Sequence, residues 1–138
     1  MSRPAQDGFV YDDVLADEPQ EWISYNDIAD VAAVILQDDT KKHGSNCYTL
    51  MGDVVTVTER AAIISRVLGQ TIPYKQMTSA EKYNKMIQDG IPHGIALDFS
   101  DNFKINKDKR VTPVIEILTG RKPETLEAFL NAHKHCLA

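Results

Sequence analysis

The stretch Trp22–Leu36, Trp-Ile-Ser-Tyr-Asn-Asp-Ile-Ala-Asp-Val-Ala-Ala-Val-Ile-Leu, constrains the chain more than any other. Trp22, Ile23 and Tyr25 are bulky and β-favouring, so they read as the end of an extended segment. Asn26 or Asp27 can then cap a helix by accepting from free N–H groups of its first turn. Ile28, Val31, Ala32 and Ile35 follow the i, i+3, i+4, i+7 spacing of one buried face. Val34 and Leu36 widen that apolar sector, so the spacing predicts a helix covered on more than one side. Its expected neighbours are Ile64 and Leu68.

Flanking segments supply the other elements. Gly8–Tyr11 reads as a short strand after a loose terminus, and Asp12–Glu21 as an acidic, solvated loop; residues 1–21 are thus expected to be loop or partly disordered. Cys47–Met51 reads as a strand stopped by Gly52. Thr56-x-x-Glu59 and Thr78-x-x-Glu81 are capping boxes, each opening a helix, with Gly69 and Gly90 placed to end them. Thr71–Met77, with Pro73, reads as an edge strand. Pro92-His93-Gly94 begins a less regular stretch through Leu97, Phe99 and Phe103. A short helix follows Thr112-Pro113, and a last one spans about Glu124–Lys134, with Leu126, Phe129 and Leu130 inward. Two or three strands among about five helices give an α/β fold, with α+β as the alternative, in a single domain of 138 residues.

A net charge of −5 argues against a nucleic-acid partner, since Asp101 and Asp108 interrupt the cluster Lys104, Lys107, Lys109, Arg110. No apolar run reaches the roughly 20 residues that cross a bilayer, and no signal-peptide pattern precedes the fold, so a cytoplasmic protein is expected. Cys47 and Cys136 lack metal-ligand spacing and read as free thiols. His133, His135 and Cys136 do not converge on a helix either, and no metal is expected.

The pieces "WISYNDIADVAAVIL", "YTL", "TVTERAAIISRVLGQTIPY", "DGIP" and "LTGRKPETLEAF" stand in one order across Gly8–His133. In that order and spacing the chain resembles the C-terminal half of NmrA-like proteins, atypical short-chain dehydrogenases/reductases, and looks most like the fungal ergot-alkaloid dehydrogenase branch. The resemblance implies a small sheet with helices and a substrate cleft. Its floor would lie near Trp22–Tyr25, and its roof would be the segment from Gly90 to Phe103. Carried onto this chain, that implies substrate contacts from Trp22, Tyr74, Met77, Met86, Ile91, Leu97, Phe99 and Phe103; ordinary core packing is the competing reading for each.

The seven glycines never take the spacing of a nucleotide-binding loop, and no tyrosine has a lysine four residues on. No cofactor is therefore expected. Polar candidates for chemistry are Tyr25, Tyr83 and His93, which can donate to a developing negative charge or move a proton near neutral pH. Asp27 reads as a cap sooner than a base, and Asp98 as a surface carboxylate. These residues, with the substrate cleft and fungal branch that the resemblance implies, give as the expected function a cofactor-independent cyclase or isomerase, Diels–Alder-type included, for a hydrophobic substrate of fungal secondary metabolism. A non-catalytic binding or regulatory module is the alternative. Loss of a partner domain would leave an apolar patch, so a homodimer is expected, with Val34, Leu36 or the Cys47–Met51 strand near its interface.

Overall fold

The computed structural model describes residues 4–101 and 111–137. Its core forms around α4 (Val57–Leu68), which starts at the end of β3 (Asp53–Thr56). Thr56 closes its capping box in both directions: its hydroxyl accepts from the Glu59 N–H at 3.1 Å, and the Glu59 carboxylate accepts from the Thr56 N–H at 2.7 Å. Gly69, in the left-handed region at φ 70°, ends the helix. Between those signals α4 buries Val57, Ala61, Ile63, Ile64 and Val67. Ala61, Ile63, Ile64 and Val67 form one cluster with Val10, Val55, Ile72, Leu126, Leu130 and Leu137, with Trp22, Leu68, Tyr74 and Phe129 packed against it.

Two small sheets flank this core. β1 (Val10–Asp12) runs parallel to β4 (Tyr74–Gln76), in register Val10↔Tyr74 to Asp12↔Gln76. β2 (Pro19–Trp22) is antiparallel to β3, from Pro19↔Thr56 to Trp22↔Asp53. The acidic segment expected as loop is therefore strand in its last part. The rest is held down, with the Tyr74 hydroxyl donating to Val14 O and Thr58 to Ala16 O. The loose terminus gains a turn of helix, α1 (Pro4–Asp7), on a buried Pro4.

The anchor helix, α2 (Tyr25–Gln37), is present but turned. Ser24, not Asn26 or Asp27, caps it by accepting the Asp27 N–H at 3.0 Å. Asp27 is wholly buried and pairs with Arg121 at 2.7 Å, while its other oxygen accepts the Glu124 N–H at 3.0 Å. Drawing that carboxylate inward, together with Val31, rolls the opposite side out: Ile28 is 47% and Leu36 85% exposed. The expected joint burial of Ile28, Val31 and Ile35 against Ile64 and Leu68 does not occur. The helix packs instead on α7 (Val114–Thr119), around the buried Ile115.

α3 (Thr40–His43) follows, and Cys47–Met51 is not a strand. Thr112 satisfies that segment from the side, donating to Thr49 O at 2.8 Å and accepting from Met51 N–H at 3.3 Å. The chain becomes strand only after Gly52, whose absent Cβ would stand 3.2 Å from the Asp27 carboxylate. α5 (Ser79–Gln88) opens on the second capping box. The stretch expected to be irregular is a helix, α6 (His93–Asp101), started by Pro92, whose carbonyl accepts the Ala96 N–H. α8 (Leu126–Ala132) is capped by Thr125 and shorter than expected, giving way to a 3-10 turn, Lys134–Leu137. The class is mixed α/β as expected, with eight α-helices among the described residues where about five are legible in the sequence. Phe103, the Lys104–Arg110 cluster and the Cys136 side chain lie outside what is described.

Candidate functional site

The α5–α6 hairpin is built inside out. On α5, Lys82, Lys85 and the adjoining Asp89 lie at i, i+3 and i+7, one stripe of a helix. That charged stripe faces the body. Lys82 reaches Asp12 at 2.9 Å and Asp13 at 2.7 Å, and Lys85 reaches Asp7 at 3.2 Å and Asp89 at 2.6 Å. Arg60 of α4 joins from the other side, 3.1 Å from Asp12, with its guanidinium 5.7 Å over the Trp22 ring. Burial opposes ionisation of Asp12, but hydrogen bonding and charge from Lys82, then Arg60, outweigh it and bring the carboxyl from 3.8 to about 2. Burial, aided by the Asp89 charge, pushes the Tyr11 phenol up to about 12; its hydroxyl donates to Asp89.

With Lys82 and Lys85 directed inward, the hairpin shows apolar side chains to solvent beside the exposed Glu81 and Asp98. Ile87, Ile95, Leu97 and Phe99 are all exposed, and among the described residues of α6 only Ala96 is wholly buried. At the same hairpin Tyr83 and His93 meet edge to face, with the phenol oxygen 2.9 Å from Nδ1. When Nδ1 carries the proton, the imidazole donates to the phenol oxygen and leaves the phenol proton free for a ligand acceptor.

Among the residues proposed from sequence, the structure thus brings together Tyr83, His93, Met86, Ile91, Leu97 and Phe99 on one hairpin. Tyr25 sits apart. Its hydroxyl meets His133 Nε2 at 2.7 Å, and its ring packs edge-on against Phe129. His133, weighed in the sequence only as a metal ligand, stacks on Phe129 at 4.4 Å between centroids. Trp22 and Tyr74 pack on the core; burial and then the Asp12 charge push the Tyr74 phenol up to about 12. A third tyrosine–histidine pair, also unforeseen, links Tyr48 to the buried His43 at 2.8 Å, with Asp38 on the other ring nitrogen at 3.1 Å. An open groove of about 230 Å³ lies elsewhere, lined by Val54, Val55, Glu59, Ala62, Ile63 and Arg66, none of them a sequence candidate. Among the described residues no group of three or more His, Cys, Asp or Glu could hold a metal, and no helix is long and apolar enough to cross a membrane.

The NmrA-like family model matches residues 1–131. The chain belongs to the NmrA-like family. It is 30% identical over 118 residues to agroclavine dehydrogenase of Claviceps purpurea (strain 20.1), and 26% identical over 115 residues to the uncharacterized oxidoreductase YesF of Bacillus subtilis (strain 168). Those alignments take in 82% and 81% of this chain and 40% of each relative. The fold is shared with Citrobacter sp. triphenylmethane reductase complexed with NADP(H), at TM-score 0.77 and 19% identity, over 92% of this chain and 45% of that one. It is shared too with an NADPH-dependent quinone oxidoreductase of Escherichia coli, at TM-score 0.69 and 19% identity, over 99% and 50%. This NmrA-like chain therefore spans about two-fifths of the length of the curated relatives it matches.

These matches correct one expectation. The relatives are oxidoreductases and dehydrogenases, and a cofactor-independent cyclase or isomerase is not supported. That reading took the absent nucleotide loop as a loss of redox chemistry, whereas the similarity runs along most of the chain. The starts of α2 and α4 nevertheless do not fit NADP(H). A diphosphate needs free N–H groups at a helix start. At α2 Ser24 occupies that position, and at α4 the Glu59 carboxylate does; backbone and hydroxyl hydrogen bonds from Thr56 hold that carboxylate below its usual range, so it repels phosphate.

Proposed function

We propose that this chain is the substrate-side portion, of C-terminal type, of an NmrA-like oxidoreductase acting on a hydrophobic, carbonyl- or quinone-like compound, with the dinucleotide held by residues outside those described. The observation that carries this is the inverted hairpin. Lys82 and Lys85 of α5 are consumed in pairs with Asp7, Asp12 and Asp13, and Leu97, one helical turn on from His93, is exposed on the hairpin that carries the Tyr83–His93 pair, with Ile95 and Phe99 exposed farther round α6. An apolar side chain next to one convergent polar pair suits a planar ligand that presents one of its oxygens to the pair. In this reading Leu97, one turn from His93 on α6, excludes water from the ligand face. Tyr83 holds a proton at its phenol oxygen, aimed by His93, toward the ligand oxygen. The dinucleotide, where bound, supplies the reducing equivalents.

Titration of the 15N-labelled chain with menadione, a hydrophobic quinone, tests the reading. Saturable shifts are expected at the amides of Tyr83, Gly94, Leu97 and Phe99, and Leu97→Asp should abolish them with the fold intact. Shifts confined to the groove by Val55 and Ile63, or none at all, would sink the assignment.

A further inference from the structure

The segment between α2 and β3 carries a chain of three polar groups that the hairpin does not use. His43 of α3 is buried, and both of its ring nitrogens are engaged. Nε2 lies 3.1 Å from an Asp38 carboxylate oxygen, and Nδ1 lies 2.8 Å from the Tyr48 hydroxyl. Hydrogen bonds from Lys42 and then His43 bring the Asp38 carboxyl from 3.8 to about 2, so it is ionised near neutral pH and can only accept. In the neutral ring the proton therefore sits on Nε2, and Nδ1 turns its lone pair to Tyr48. The phenol must donate. Carboxylate, imidazole and hydroxyl thus stand in the order in which an oriented base draws the proton from a nucleophile.

Lys42 shares the Asp38 oxygen, but the two partners are unequal. The Lys42 side chain is 62% exposed, so water screens its charge, whereas that of His43 is 5% exposed. The lysine also leaves the tautomer untouched, because an accepting oxygen faces Nε2 whether or not a second donor binds it. The other tyrosines lack this order. At His133 the neutral Phe129 carbonyl orients the ring behind Tyr25, and at His93 no second partner fixes the ring behind Tyr83 among the described residues. Tyr11 and Tyr74 donate to Asp89 and to backbone oxygens, and burial pushes both phenols up to about 12. Tyr48 itself is half-buried between the exposed Cys47 and Thr49, within reach of a small reagent. We propose that Tyr48 is an activated phenol and the chain's site of O-acylation by an acyl donor, with His43 as its general base and Asp38 as the positioning residue. The Tyr48 oxygen bonds to the acyl carbon, and the bond from that carbon to its leaving group breaks. The phenol proton moves to His43 Nδ1, and the departing base or water carries it away.

N-Acetylimidazole tests this on the whole chain, with each acetyl group located by peptide fragmentation, which separates Tyr48 from Cys47. Tyr48 is expected to label at least about tenfold faster than Tyr25, although Tyr25 is 55% exposed. Asp38→Asn should bring Tyr48 down to the Tyr25 rate and leave Tyr25 unchanged. Tyr11 and Tyr74, shielded by the fold, should stay unlabelled and so report that the variant is folded. Lys42→Ala, at an exposed site, should raise the Tyr48 rate roughly twofold to fivefold. Labelling of Tyr48 no faster than Tyr25 overturns the proposal. So does a folded Asp38→Asn chain that keeps the unmodified chain's Tyr48 rate, or a Lys42→Ala chain that labels more slowly; the three groups would then only pin the segment to α2.

Discussion

α4 and α5 begin and end alike, yet they lead opposite lives. Each opens on a Thr-x-x-Glu capping box and closes near a glycine at positive φ, Gly69 at 70° and Gly90 at 82°. α4 buries five residues and organises the core; α5 buries none. The caps determine that a helix forms and where it starts. They are silent on which face turns inward, because that depends on partners distant in sequence. α4 offers the body a stripe of Val, Ala and Ile, which gains from leaving water. α5 offers lysines, and three aspartates of the N-terminal segment receive them.

The largest test of this contrast is Ile64→Ala, which should cost about 2–5 kcal/mol in urea denaturation, as buried Ile truncations do. If the cost is that of a surface site, α4 is not the centre. Next comes acid. The folded value of Asp12, about 2, lies below its ordinary 3.8, so its contribution is complete above that ordinary value and is lost as pH falls through the folded one. The loss should approach about 2 kcal/mol. Because Asp12 joins Arg60 of α4 to Lys82 of α5, hydrogen exchange should rise in the hairpin before the core. Equal rises would mean that the two regions open together.

Caps come third. Thr56→Ala and Thr78→Ala should each cost about 1 kcal/mol of local helix stability. Only the first is expected to move the global denaturation midpoint, whereas the second should appear as faster exchange within Ser79–Gln88. The smallest effect is Ile87→Ala, expected within about 0.5 kcal/mol; a larger loss would show that the apolar face of the hairpin is covered.

Legibility followed the same division. Thr56 with Glu59 and Gly69 was readable, because cap and helix lie within a few residues of each other. The rotation of α2 was not, since Asp27 turns inward to Arg121 and to the Glu124 amide, 97 residues away. Nothing near Asp27 marks it as a buried carboxylate. The Tyr25–His133 contact spans 108 residues and was equally out of reach. Tyr83 and His93 are ten residues apart on consecutive segments, so their meeting lay within range of local reasoning. The stripe Lys82, Lys85, Asp89 has helical spacing, but its inward turn depends on Asp7, Asp12 and Asp13, far earlier in the chain, and local reasoning would have placed it in solvent.

The placement of Trp22 has a practical consequence. It is the chain's one tryptophan, lodged against the α4 cluster beneath the Arg60 guanidinium. Light absorbed selectively by that indole is re-emitted from the core alone. Its colour should redden when α4 comes apart and stay constant while the hairpin, which carries a single tyrosine and no indole, swings free. The molecule thus has a native optical probe for one of its two regions, and a discrepancy between that signal and hydrogen exchange would time their separation.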